Sequence, residues 1–274
     1  MNGRPVRAPH LRDMKRRGEP IAILTAYDAV MAHLFERAGV DVILVGDSVG
    51  MAMLGYPSTI PVTVDMMIHH TQAVVRGTTR ALVIADMPFL AAQVSVTEAM
   101  ANARRLIQDG GAAAVKIEGG RPVVETVRRL VDVGIPVMGH LGLQPQSVHQ
   151  VGGFRKRATE RADADLLLAD ARALEEAGAF AIVLESIPDD VAAAATRMLT
   201  IPTIGIGAGA ACDGQVLVGH DMLGFSVEAP PPFVRQYARL GDAIATAATA
   251  YVRDVKDGRF PEQPVPAGSA IDHP

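Results

Sequence analysis

The chain has 274 residues, of which 49% are hydrophobic and 20% charged, with a formal net charge of −4. This charge gives no electrostatic basis for binding nucleic acid, and no uncharged apolar run approaches the ~18 residues of a membrane span. The single cysteine, Cys212, excludes an internal disulfide framework and suits a reducing compartment. We therefore expect a soluble, cytoplasmic protein that acts on small molecules, with neither nucleic acid nor membrane as a partner.

Eight short, mostly apolar segments alternate along the chain with stretches of helical pattern. Continuous apolar runs are typical of parallel strands that are covered on both faces. The predicted strands are 21–27, 40–46, 81–87, 113–119, 136–142, 180–186, 202–207 and 215–222. Their number predicts a single (β/α)8 barrel, a fold that usually takes ~250 residues.

The remaining segments complete the predicted domain organisation. We assign residues 1–257 to one catalytic domain, comprising an N-terminal extension, the barrel and a C-terminal helix, and expect the proline-rich tail 258–274 to be disordered. Ser95 and Glu98 form a capping-box pattern that predicts a helix start. The connections 48–63 and 143–159 exceed the usual loop length of α/β proteins, which makes both of them candidate lids.

Polar residues stand where predicted strands end, as in DVILVGDSVG (41–50) and ALVIADMPF (81–89). The carboxyl ends of barrel strands form the catalytic mouth. Lys116 and Glu118 are two apart on one strand, so both should point to the same side. The candidate site residues are Asp47, Ser48, Asp86, Lys116, Glu118, His140 and Glu185.

Each of these residues also has a structural explanation when it is taken alone. Asp47 or Asp86 could cap the following helix, and His140 could be a hydrogen-bonded structural residue. Glu185 could be solvated at the barrel rim, and Lys116 could form a structural ion pair with Glu118. The functional interpretation depends on all of them occurring together at strand ends.

The chemistry of this set points to a hard divalent cation. Two aspartates and a glutamate, without a cluster of Cys or His, favour Mg²⁺, which usually takes only one or two direct carboxylates. A metal with an open position could accept a chelating 2-oxo acid and stabilise an enolate. Lys116 would neutralise the substrate carboxylate or the oxyanion, and Glu185, with no obvious cation nearby, could act as a general base.

Seven blocks of the sequence resemble the ketopantoate hydroxymethyltransferase family, in order and over nearly the whole chain outside its termini. They are LTAYDA (24–29), VGDSVGMAMLGYPSTIPVT (45–63), ADMPF (85–89), VKIEGG (115–120), GHLGLQPQSV (139–148), IVLESIP (182–188) and IGIGAGAACDGQVLVGHDMLG (204–224). The chain departs from the family pattern at 91–93 and 155–159. The second departure lies in a candidate lid, so no folate-contacting residues are assigned.

The resemblance implies roles for the candidate residues. Asp47 and Asp86 would bind one Mg²⁺ per subunit, and Glu118 would join the metal shell. Ser48 and Lys116, with the two aspartates, would hold 3-methyl-2-oxobutanoate, and His140 is a further candidate for substrate binding. Glu185 would accept the proton from carbon 3.

The resemblance also implies an activity in the biosynthesis of pantothenate, the coenzyme A precursor. A hydroxymethyl unit would pass from the co-substrate 5,10-methylenetetrahydrofolate to 3-methyl-2-oxobutanoate through a Mg²⁺-stabilised enolate, giving 2-dehydropantoate and tetrahydrofolate. The family forms homo-oligomers, including decamers. Two alternatives remain open: a Mg²⁺-dependent barrel lyase or aldolase acting on another 2-oxo acid, and a non-catalytic barrel that binds a metabolite.

Overall fold

The structure is a computed structural model that describes residues 4–153, 155–226 and 229–261. Eight parallel strands pair in chain order and close into a barrel, because the last strand also pairs with the first. The strands are β1 Ile21–Thr25, β2 Val42–Val45, β3 Leu82–Asp86, β4 Ala114–Glu118, β5 Val137–Gly142, β6 Ala181–Glu185, β7 Thr203–Ile206 and β8 Gly214–Leu217. This topology confirms the predicted (β/α)8 barrel.

Helices surround most of the barrel, and three of those described begin at a side-chain cap, formed by Asp28, Thr63 and Ser95. Ser95 Oγ accepts a hydrogen bond from Glu98 N at 3.1 Å, as its capping pattern predicts. The helices are α1 Ala8–Arg17, α2 Ala29–Arg37, α3 Val49–Ala52, α4 Val64–Arg76, α5 Val96–Gln108, α6 Val124–Asp132, α7 Val148–Val151, α8 Arg161–Glu176, α9 Asp189–Met198, α10 Gly219–Met222 and α11 Leu240–Lys256. No helix in the described ranges is long and apolar enough to span a membrane.

The prediction of one strand over 215–222 is wrong in its second half. β8 ends at Leu217, and residues 219–222 form the short helix α10. The backbone N–H of Gly219 donates to Thr25 Oγ1 at 3.1 Å, and a Cβ at this position would collide with the carbonyl oxygen of Thr25. The chain therefore turns across the end of β1 at a glycine instead of continuing as a strand.

The two long connections contain secondary structure of their own. The segment 48–63 includes α3, and the segment 143–159 includes a 3₁₀ turn at Pro145–Ser147 followed by α7. Of the predicted tail, residues 258–261 follow α11 directly, and Arg259 pairs with Asp254 at 2.9 Å. Residues 262–274 lie outside the described residues.

The barrel interior is apolar at its N-terminal end. Alternate residues of a strand share one face, and the inward residues at this end form one buried cluster. Leu11 of α1 is fully buried in that cluster, so the N-terminal extension closes this end of the barrel. Lys15 holds the helix in place through Asp213 Oδ2 at 2.9 Å. The cluster includes Ile21, Ile23, Val42, Leu44, Leu82, Ile84, Ala114, Met138, Ala181, Val183, Ile204 and Val216.

Candidate active site

The inward face of several strands changes from apolar to polar toward the mouth. Asp86 lies two residues beyond Ile84, Lys116 and Glu118 follow Ala114 at spacings of two and four, and His140 follows Met138. Glu185 stands two residues after Val183 at the end of β6. Because residues two apart share a face of a strand, these polar side chains all enter the barrel interior at its C-terminal end.

Asp86 is the direct partner of Lys116. Its Oδ1 lies 3.0 Å from Lys116 Nζ, and both side chains are almost completely buried. Burial disfavours the charge on Lys116, but Asp86, Glu118 and Asp47 outweigh it and raise the pKa of this lysine. The predicted alternative, a structural ion pair of Lys116 with Glu118, is therefore wrong about the partner.

Asp47 lies beside Asp86 just beyond the end of β2. Its backbone N–H donates to Asp86 Oδ2 at 3.0 Å, and its own Oδ2 accepts from Gln146 Nε2 at 2.8 Å. The helix after Asp47, α3, has no side-chain cap, and the helix after Asp86, α5, is capped by Ser95, so the helix-capping explanation does not hold for either aspartate. Gly46 leaves room for the Ser48 hydroxyl, because a Cβ there would fall 2.6 Å from Ser48 Oγ.

The carboxyl group of Asp47 carries the clearest electrostatic signal of the site. Burial raises its pKa well above the usual range, and the neighbouring Asp86 and Glu118 raise it further. Lys116 and the hydrogen bond from Gln146 oppose this rise. A buried carboxylate among other acids is stabilised by an added cation, so this position suits a metal ion.

His140 joins Glu118 to Glu185. Its Nδ1 lies 3.4 Å from Glu118 Oε1 and 3.2 Å from Lys116 Nζ, and its Nε2 lies 3.1 Å from Glu185 Oε2. Burial and Lys116 lower the pKa of His140, but its contacts with the two glutamates raise it to about 9. The sequence shows no cation near Glu185, but the structure places the basic imidazole of His140 beside it.

Ser48 is half-buried and belongs to a hydroxyl chain at the mouth. Its Oγ lies 2.9 Å from the Tyr27 hydroxyl, which accepts a hydrogen bond from Thr25 Oγ1 at 3.0 Å. Tyr27 is completely buried, and burial raises the pKa of its phenol, so it stays protonated. The hydroxyl chain ties Ser48 to the end of β1.

The acids fit a divalent cation held by two direct carboxylates better than one held by three. In the described part of the chain, no group of three or more His, Cys, Asp or Glu side chains is arranged to hold a metal ion. Glu118 instead faces His140 and accepts from Gln146 N at 3.2 Å through Oε2. Asp47 and Asp86 remain as neighbouring oxygen donors, within the one or two direct carboxylates that Mg²⁺ usually takes.

Two residues of this region were not predicted from the sequence. Gln146 contacts both Asp47 and Glu118, and Tyr27 contacts Ser48. Both lie inside blocks that carry the family resemblance, LQPQS and LTAYDA, which was the only sequence signal available for them. Tyr27 ends the predicted strand 21–27 but is aromatic and uncharged, and Gln146 lies in a loop, so neither stood out among the polar residues at strand ends.

Comparison with known proteins supplies the family. A family model described as ketopantoate hydroxymethyltransferase matches residues 5–263. The chain is 57% identical over 258 residues to 3-methyl-2-oxobutanoate hydroxymethyltransferase of Moorella thermoacetica, covering 94% of this chain and 96% of that protein. It is 53% identical over 261 residues to the protein of that name from Syntrophus aciditrophicus, covering 95% of this chain and 96% of the relative.

Solved structures with the same architecture are more distant in sequence. A structure of 2,3-dimethylmalate lyase matches with a TM-score of 0.59 at 19% identity, covering 97% of this chain and 91% of that one. A phosphonopyruvate hydrolase in complex with oxalate and Mg²⁺ matches with a TM-score of 0.61 at 15% identity, covering 92% and 88%. These likenesses show the fold alone. The family model and the close relatives, by contrast, span nearly the whole chain, and this protein therefore belongs to the ketopantoate hydroxymethyltransferase family of enzymes.

Proposed function

We propose that this protein transfers a hydroxymethyl unit from 5,10-methylenetetrahydrofolate to 3-methyl-2-oxobutanoate, in pantothenate biosynthesis and in the cytoplasm. The products are 2-dehydropantoate and tetrahydrofolate. The observation that carries the proposal is the set of buried acids and cations at the barrel mouth, in a chain of this family. In the net reaction carbon 3 loses a proton and gains the methylene carbon, and water supplies the hydroxyl group. The two folate nitrogens that held the methylene carbon regain N–H bonds with the proton from carbon 3 and the other proton of water.

Asp47 and Asp86 would hold Mg²⁺, with Glu118 joining through water. The support for this assignment is the adjacency of the two aspartates and the raised pKa of Asp47, which a cation would relieve. Bound Mg²⁺ would supply Lewis-acid stabilisation of negative charge on the keto oxygen. Lys116 faces the same acids and would neutralise the substrate carboxylate, while Ser48 would donate a hydrogen bond to the substrate.

Glu185 would accept the proton from carbon 3. β6 lies four strands away from β2 around the closed barrel, so Glu185 and Asp47 stand on opposite sides of the mouth. A substrate held by the aspartates would therefore present its far side to Glu185. The side chain of Glu185 is 16% exposed, more than those of Asp86, Lys116, Glu118 and His140, and so remains accessible to substrate. His140 would hold this carboxylate in place and lies within reach of the substrate.

Proton NMR of 3-methyl-2-oxobutanoate in D₂O tests the proposal. With enzyme, Mg²⁺ and methylenetetrahydrofolate, we expect 2-dehydropantoate to form, and EDTA to abolish its formation. Loss of the carbon 3 proton signal without that product would support enolate formation but reject hydroxymethyl transfer. The enzyme would then catalyse another carbon–carbon bond-forming reaction of 2-oxo acids. No change of either kind would reject catalysis and favour a metabolite-binding barrel.

A second copy of the chain is the proposed partner, in a homo-oligomer. Residues 207–213 join β7 to β8 without a helix, and a cavity of about 1000 Å³ lies along the outer side of β8 and β1. The 17-residue helix α11 has no buried residue in the described structure and exposes Ile244, Tyr251 and Val255. An uncovered barrel wall and an uncovered amphipathic helix on one chain favour association of copies.

Light scattering of the full chain tests this association and measures its stoichiometry, for which the family resemblance implies a decamer. We expect an oligomer for the wild type and a smaller species for Ile244→Asp. A monomeric wild type would reject the assembly.

A further inference from the structure

Gln146 is a buried amide at the centre of the acid cluster. It lies in the 3₁₀ turn Pro145–Ser147 after β5 and is 5% exposed. Its Nε2 donates to Asp47 Oδ2 at 2.8 Å and to Met87 O at 3.0 Å. The backbone oxygen of Met87 can only accept a hydrogen bond. The atom of Gln146 that faces it is therefore the amide nitrogen, which sets the orientation of the side chain.

The backbone of the same residue reaches a second acid. Gln146 N donates to Glu118 Oε2 at 3.2 Å, while Glu118 Oε1 faces His140. One loop residue therefore contacts acids that follow β2 and end β4, as well as the main chain just beyond β3. These contacts join three neighbouring segments of the barrel mouth to the long connection 143–159.

The geometry at Asp47 explains what the amide can do. A donor on Oδ2 restricts rotation of the carboxylate and leaves Oδ1 to bind a cation. Groups that hydrogen-bond to metal ligands orient them, and their loss typically costs about 10- to 100-fold in metal affinity. The Gln146 Oε1 atom is buried and has no hydrogen-bond partner among the described residues, so it can accept from a water that accompanies the cation.

We propose that Gln146 is a positioning residue that orients Asp47 for the divalent cation and thereby sets the metal affinity of the site. The inference rests on the proposed metal site. Gln146 would not bind the cation itself but would act through Asp47, from a loop away from the strand ends. It also connects the candidate lid 143–159 with the metal site, because displacement of this turn would remove the donor from Asp47.

Two variants of similar size remove the donors. Gln146→Met and Gln146→Leu each delete both hydrogen bonds of the side chain and add no charge beside Asp47. The matched control is Gln93→Met. Gln93 is a loop glutamine whose Nε2 donates to the backbone oxygen of Glu118 at 3.2 Å and contacts no predicted metal carboxylate.

The measurement is the binding of Mn²⁺ alone, followed by the electron paramagnetic resonance signal of the free ion, with displacement by Mg²⁺. We expect both Gln146 variants to bind about 10- to 100-fold more weakly than wild type, and Gln93→Met to bind like wild type. Thermal unfolding followed by circular dichroism establishes that each variant is folded at the titration temperature.

The outcomes separate this inference from the proposed function. Wild-type affinity in both folded Gln146 variants would overturn the positioning role and leave the metal site intact. An equal loss in Gln93→Met would also overturn it, because general loosening of the mouth would then explain the effect. Absence of Mn²⁺ binding by the wild type would overturn the metal site itself, and the positioning role with it.

Discussion

The two ends of the barrel use the same strands and the same inward face for opposite purposes. At the N-terminal end the interior is aliphatic, and Leu11 of α1 closes it. Toward the C-terminal ends of the strands, the next inward positions on the same face carry Asp86, Lys116, His140 and Glu185. Burial of each large aliphatic side chain stabilises the fold by ~1.5–3 kcal/mol, while burial of charges costs free energy unless they are paired.

The difference shows that apolar burial at the N-terminal end stabilises the fold, while burial of charged groups at the mouth costs free energy. At the apolar end the side chains need only pack closely, without specific partners. At the mouth each charge depends on a specific partner, as Lys116 depends on Asp86 and Glu118 on His140. We therefore expect substitutions at the closed end to change the free energy of unfolding, and substitutions at the mouth to change chemistry, with Asp86 affecting both.

The largest effect on chemistry is expected for Glu185→Gln. Removal of the general base should slow exchange of the carbon 3 proton of 3-methyl-2-oxobutanoate by about 10²- to 10⁴-fold, as followed by NMR in D₂O. The amide keeps the size of the side chain, so we expect thermal unfolding and Mn²⁺ affinity to stay near those of the wild type.

A glutamate at the other end of the molecule is the matched control for this variant. Glu175 accepts hydrogen bonds from Thr200 N and from Ile201 N, at 2.6 and 3.1 Å, near the start of β7. Glu175→Gln should lower the unfolding temperature and leave proton exchange unchanged. Equal exchange rates in Glu185→Gln and wild type would contradict the assignment of the base.

Asp86→Ala should affect both properties. Loss of one partner of a buried ion pair destabilises by about 3–5 kcal/mol; we expect about 3 kcal/mol here, because Asp47 and Glu118 remain near Lys116. Urea unfolding without metal measures this loss, and Mn²⁺ titration should show that binding is lost as well. A variant that binds Mn²⁺ like the wild type would remove Asp86 from the metal site, whatever its stability.

Leu11→Ala should affect stability alone. The side chain is fully buried, and truncation of a buried leucine typically costs about 2–5 kcal/mol. Urea unfolding is expected to show this loss, while folded protein keeps its Mn²⁺ affinity and exchange rate. A fall in metal affinity for the folded variant would contradict the claim that the N-terminal end of the barrel affects stability alone.

Much of the fold could be predicted because eight apolar segments in one order admit few arrangements. The errors lie at segment ends, as at 215–222, where apolar residues continue past the last strand hydrogen bond. The sequence indicates α1 only as part of an N-terminal extension, since few of its residues, Ala8 and Leu11, are buried against the barrel. The candidate residues at strand ends do meet at one mouth, because carboxyl ends of parallel strands share one end of a barrel.

The sequence by itself determined that the charged residues of β3 to β6 line the mouth, since the period of two places them on the inward face without knowledge of distances. Only the tertiary structure decided how the charges pair. Lys116 contacts Asp86 instead of Glu118, and His140 adjoins Glu185. Pairing depends on separations of a few ångströms between side chains of different strands, and the position of Gln146 depends on the path of a loop. Neither quantity is encoded in a local pattern.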